Sequence, residues 1–117
     1  MTNRKLIGTF AAVGILVSGL AAQAAGMLMG ANGMTLYVFD KDKGGVSSCY
    51  DACATKWPPY LGKEGDKMEK DWALMKRTDG KMQWTYDKKP LYFFEGDKKK
   101  GDMAGDGMGG VWHIVAE

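Results

Sequence analysis

The chain has one histidine, two cysteines and three prolines in 117 residues. With His113 alone there is no His-Glu-x-x-His helix, and neither a Gly-x-Ser-x-Gly elbow nor a phosphate-cradling glycine loop occurs. No nucleophile, base and orienting group can be assembled from what remains, so a non-catalytic protein is expected. Two cysteines and one histidine also fall short of the four or so ligands of a structural zinc site.

Long apolar runs are scarce as well. One stretch, Leu6 to Leu20, is interrupted by Gly8, Gly14 and Gly19. It is short for a membrane span, which needs about 20 apolar residues. Arg4 and Lys5 precede it and Ala22-Gln23-Ala24 follows, the layout of an export signal with an A-x-A cleavage site. A cleaved signal over residues 1–24 is therefore expected, with the mature chain starting at Ala25 and no stable membrane span afterwards. Its expected location is periplasmic or secreted.

A surplus of charge is missing too. Lysine plus arginine number 16 against 14 acids, and Arg4 and Lys5 lie in the signal, so the mature chain balances at 14 against 14. Nucleic-acid binding needs excess positive charge on one face, and no nucleic-acid partner is expected. The run Lys98-Lys99-Lys100 is offset by Asp97, Asp102 and Asp106, as in a solvated loop. About 93 of the 117 residues remain after the signal, one small domain with a thin core.

What is present is a pattern used twice. Leu36-Tyr37-Val38-Phe39-Asp40-Lys41-Asp42 is echoed by Leu91-Tyr92-Phe93-Phe94-Glu95-Gly96-Asp97, 55 residues later (92 minus 37). An internal repeat implies one supersecondary unit employed twice. Hydrophobic alternation and turn residues predict strands over 34–39, 72–77, 82–86, 91–95 and 111–116. Thr78-Asp79-Gly80 supplies a turn in a β-meander, and one or two helical turns are expected over 49–56, closed by Trp57-Pro58-Pro59. Residues 25–33 read as a flexible N-terminal arm and 60–71 as a surface loop. The expected fold is mainly β: about five strands in a small sheet or partly closed barrel, two related halves sharing one core over 34–117.

These units, together with Cys49-Tyr50-Asp51-Ala52-Cys53-Ala54, Trp57-Pro58-Pro59, Gly96-Asp97 and Gly109-Gly110-Val111-Trp112, resemble a bacterial family of secreted repeats, predicted lipoproteins with a Tyr-x-(Phe/Trp/Tyr)-x-x-Asp motif. The resemblance spans nearly all of the chain after residue 33. It implies an exported protein and carries no established biochemical role. The chain departs from the lipoprotein label, because neither cysteine lies at the cleavage site where a lipid anchor would attach.

Within each unit the Tyr and Phe share a strand face and the Asp falls beyond the strand end. Tyr37, Phe39, Asp42 and Tyr92, Phe94, Asp97 are expected first as a folding device, each Asp accepting loop amides. The alternative is an aromatic ligand groove with Asp42 and Asp97 at its rim. Cys49 and Cys53 are expected to form a disulfide in an exported chain, with thiol redox chemistry the weaker alternative, since the thioredoxin motif has two intervening residues rather than three. Methionine is over-used: Met27, Met29 and Met34 cluster early, and Met103 and Met108 flank a glycine-rich loop ahead of His113. Thioethers and imidazole suit copper, so Met103, Met108 and His113 form a candidate copper site against the plainer role of gap-filling. The leading function is a small exported binding or interaction module, its partner an envelope protein or a small ligand. Copper handling is the alternative, with otherwise no cofactor expected.

Overall fold

The computed structural model describes residues 26–117, so the expected signal over 1–24 lies outside it. Six short strands, one α-helix and one 3₁₀ turn follow in order: β1 (Tyr37–Phe39), α1 (Ala52–Lys56), β2 (Leu61–Gly62), β3 (Trp72–Lys76), β4 (Met82–Tyr86), β5 (Lys89–Pro90), the 3₁₀ turn (Met108–Gly110) and β6 (Trp112–Ile114). The architecture is mainly β and forms two sheets rather than one. β1 pairs antiparallel with β6, and β4 is the hub of the other sheet, flanked by β2 and β3 and joined to β5.

The expected meander is present. β3 and β4 pair from Trp72↔Tyr86 to Lys76↔Met82 around the Asp-Gly turn, where Asp79 accepts the Lys81 amide at 3.0 Å. Helix α1 occupies the interval assigned to helical turns, and Trp57 ends it as its amide bonds back to Cys53 at 2.8 Å.

Two expectations are corrected. Leu91–Glu95 is not a regular strand: β5 stops at Pro90, and Tyr92 makes single bridges to Tyr37 on one side and Pro59 on the other. The partner segment contains Pro58 and Pro59, which have no N–H to extend a ladder. Contact is kept by spaced bonds instead, from Tyr60 N to Leu91 O, Phe93 N to Pro58 O and Glu95 N to Lys56 O, all 2.7–2.9 Å. Second, β2 lies inside the interval read as loop, where a polar sequence concealed a two-residue pairing of Leu61 and Gly62 with β4. The segment read as an arm lies against the strands. Leu28 is buried, its amide bonds to Val115 O at 2.8 Å, and Met27 and Met29 bridge to Ala116 and Thr35. One apolar side chain with two backbone bridges is enough to dock a short segment of small residues.

The repeat explains the core. Leu36 and Leu91 are fully buried with Leu28 in one cluster, while Tyr37 and Tyr92 are fully buried with Cys49, Trp57 and Trp112 in the other. Successive residues of a strand point to opposite faces, so each Leu-Tyr pair feeds both clusters. The two units meet at Tyr37 and Tyr92, whose amides and carbonyls exchange bonds of 2.8 and 2.9 Å. The same 55-residue offset relates Trp57 to Trp112, which stack at 3.8 Å with planes 3° apart. It also relates the bond from Asp40 N to Val111 O to that from Glu95 N to Lys56 O, both 2.8 Å. An approximate twofold axis therefore passes between the two tyrosines.

Equivalent positions should then carry equivalent energy. Leu36→Ala and Leu91→Ala are each expected to cost about 2–5 kcal/mol, as for buried leucines generally. Met68→Ala, half-exposed at 50 %, should stay within about 0.5 kcal/mol. Urea unfolding midpoints of the three variants measure this.

Candidate functional site

The motif residues are bonded across the repeats, not within them. The Tyr37 hydroxyl donates to Asp97 Oδ2 at 2.7 Å, and the Tyr92 hydroxyl donates to Asp42 Oδ2 at 2.6 Å. Each unit supplies a phenol to the other unit's carboxylate. The second oxygen of each acid closes its own loop, Asp97 Oδ1 accepting the Ala104 amide at 2.9 Å and Asp42 Oδ1 accepting the Ser48 amide at 2.7 Å. The aromatic partners complete the layer: Phe94 packs on Trp57 with centroids 4.4 Å apart, and Phe39 stacks on Trp112 at 4.1 Å.

The two halves differ in what satisfies the tyrosine oxygen. Tyr37 accepts the Gly105 amide at 3.2 Å. A Cβ on Gly105 would lie 2.6 Å from the Trp57 ring, so only glycine lets this backbone approach. Tyr92 instead sits 2.6 Å from Ser47 Oγ. Its own proton is committed to Asp42, so the serine donates. Ser47 in turn accepts from Arg77 Nη1 at 3.2 Å.

Arg77 is the component that sequence reasoning missed. It is 3 % exposed and its guanidinium reaches Gln83 Oε1 at 2.7 Å, Cys49 O at 3.1 Å and Asp79 Oδ2 at 3.1 Å, with the Tyr50 ring 4.3 Å away. Gln83, fully buried, passes the network on by donating to Leu91 O at 2.7 Å. A signal did exist: Arg77 is the sole arginine after the expected signal, among 13 lysines there. A planar fork of five donors suits such a buried junction, whereas lysine does not.

Cys49 and Cys53 form a disulfide with S–S 2.05 Å, and no free cysteine occurs among the described residues. Asp102 and Asp106, in the glycine-rich loop, are tied to backbone: Asp102 accepts the Lys98 and Lys99 amides, which hold its carboxyl below the usual range, and Asp106 accepts the Ile114 amide at 3.1 Å. The copper candidates are placed separately in kind. Met103 and Met108 are exposed, while His113 Nε2 lies 2.8 Å from Asp40 Oδ2.

One opening adjoins these units. A cleft of about 610 Å³ runs beside β1, with Phe39, Asp40 and Asp42 on one side, Gly44 and Gly45 at the end, and the Asp87–Pro90 turn opposite. It continues past Asp40 and Lys89 into a recess of about 340 Å³ lined by His113 and Tyr86. Asp87 and Lys88 on its rim both have positive φ, 51° and 65°, a conformation that costs a non-glycine residue about 1 kcal/mol or more. Asp42 thus lies on the wall of this cleft, whereas Asp97 is buried.

A family model for a secreted repeat of unknown function matches residues 19–60 and again 73–116. The chain belongs to this family. The two matches leave 61–72, with β2, between them, and each holds one Leu-Tyr-x-Phe unit and one of the stacked tryptophans. Membership places the chain among exported proteins. Neither a curated protein nor a solved structure matches it. No helix among the described residues is long and apolar enough to cross a membrane.

The tyrosines make the domain sensitive to alkali. Burial first, and then the bond to Asp97, pushes the Tyr37 hydroxyl well above its usual 10; burial and Asp42 do the same to Tyr92. A group whose pKa is raised in the folded state contributes its full stabilisation below the unfolded value and loses it as pH rises past that value. Stability should therefore hold up to about pH 10 and fall above it. In a spectroscopic titration, Tyr37 and Tyr92 should ionise only together with the loss of near-ultraviolet circular dichroism.

Proposed function

We propose that this secreted-repeat domain is a non-catalytic binding module of the cell envelope, periplasmic in a Gram-negative cell, which takes its partner in the cleft beside β1. The observation that carries this reading is the division of labour among the motif residues. Tyr37, Tyr92 and Asp97 are consumed in the core, whereas the loop that Asp42 closes forms the wall of an open cleft. At about 610 Å³ the cleft falls within the 300–1,000 Å³ or so typical of ligand sites. Its rim offers Asp40, Asp42 and Asp87 alongside Lys88 and Lys89, a mixture that suits a polar segment of an envelope protein or a polar small molecule bearing both charges.

A photo-crosslinking residue placed at position 88 in periplasm tests this. The expected result is a discrete adduct that is absent when the same residue is placed at position 64, on the exposed inter-repeat loop. Identical adducts from both positions, or none from either, would contradict a cleft-directed partner.

Copper handling through Met103, Met108 and His113 is the second reading, favoured by the exposure of both thioethers, 49 % and 44 %. Cu(I) competition titration against a chelator distinguishes it. One tight equivalent lost on Met103→Ala and Met108→Ala supports it, and binding that survives both substitutions does not.

A further inference from the structure

A second concave site lies on the face of the four-stranded sheet, over β3 and β4, and shares no lining residue with the cleft. Tyr60, Trp72 and Trp84 form its walls, with Lys67 and Glu69 on its rim. Trp72 and Trp84 meet at 84° with centroids 5.8 Å apart, and Tyr60 is tilted 39° from Trp84 at 6.4 Å. The three rings therefore make a corner, not a flat platform.

The corner is built in advance. The Tyr60 hydroxyl accepts the Ala31 amide at 3.0 Å, which fixes that ring. Trp72 is braced edge-on by Tyr86 at 5.4 Å. Trp84 lies against Gly62, where a Cβ would come within 2.6 Å of the indole nitrogen, so β2 must carry glycine there. All three rings are only half-buried, and each lines the cavity.

Size and charge narrow the occupant. The cavity is about 140 Å³, room for roughly four or five water-sized groups at about 30 Å³ each. A trimethylammonium head, one nitrogen and three methyls, matches that volume. Aromatic faces attract cations within about 6 Å of a ring centre, and quaternary ammonium groups are held this way in aromatic cages. The only cation seated on a ring among the described residues is Arg77 on Tyr50, so the protein's own lysines leave these walls free. Glu69 adds a negative charge beside the cation. Lys67, also exposed, adds a positive charge for an anionic group a few bonds away.

We propose that the Tyr60–Trp72–Trp84 cup binds the quaternary ammonium head of a zwitterion, with Glu69 facing the cation and Lys67 pairing its phosphate or carboxylate. The ligand chemistry is that of phosphocholine, free or as a lipid headgroup. The proposal is independent of the cleft, and either can fail alone.

Tryptophan fluorescence of the mature domain titrated with phosphocholine tests it. Saturable quenching is expected, with the isostere 3,3-dimethylbutyl phosphate at least about tenfold weaker because it keeps the phosphate and lacks the cation. Trp72→Leu and Glu69→Gln should each weaken binding by about tenfold while leaving the thermal midpoint of Glu69→Gln, an exposed residue, unchanged. Vesicles of phosphatidylcholine identify the source: retention that free phosphocholine competes away indicates a lipid headgroup, and binding of the free compound alone indicates a soluble zwitterion. Absence of saturation, equal affinity for the isostere, or preference for N-acetylglucosamine would overturn the proposal.

Discussion

The domain depends on a reciprocal exchange: the tyrosine of each repeat hydrogen-bonds the aspartate of the other. A carboxylate such as Asp97, 7 % exposed, cannot be buried without donors. In its own repeat it finds only the Ala104 amide, and Tyr37 from the other repeat completes it at 2.7 Å. Neither repeat can satisfy its own polar groups, so neither can bury its own Leu-Tyr pair. Two thin halves become one core because the polar bookkeeping closes only when they are together.

The twofold relation is strict at the axis and relaxes away from it. Tyr37 and Tyr92 exchange backbone bonds, and Trp57 stacks on Trp112. Farther out, the Gly105 amide serves Tyr37, while Ser47, itself held by Arg77, serves Tyr92. A duplicated unit is free to diverge where its role is to satisfy rather than to pack. That divergence also separates the surfaces. The Asp42 side opens into the cleft, whereas the Asp97 side is closed by the loop through Gly105.

Much of this was legible in the residues. The repeated Leu-Tyr-x-Phe-x-x-Asp units announced two related halves, Asp-Gly announced the β3–β4 turn, and two cysteines in an exported chain announced their bond. Alternation alone does not give the depth of β4, where Met82, Trp84 and Tyr86 are half-buried. The deepest side chains there are Gln83 and Thr85, because Gln83 bonds Arg77 and the Leu91 carbonyl and Thr85 bonds the Ala73 carbonyl. Burial by hydrogen bonding leaves no hydrophobic signature. The cross-repeat direction of the Tyr–Asp bonds was equally hidden, since spacing places Tyr and Asp in one unit and only the antiparallel meeting of Tyr37 with Tyr92 decides which acid each phenol reaches. The cup around Trp84 depends on Gly62, in a segment whose polarity suggested loop.

A double-mutant cycle in urea tests the exchange most directly, using Tyr→Phe and Asp→Asn substitutions. The account predicts coupling of about 1–3 kcal/mol for Tyr37 with Asp97 and for Tyr92 with Asp42, and near zero for Tyr37 with Asp42 and Tyr92 with Asp97. Coupling within each repeat, and none between repeats, would contradict it.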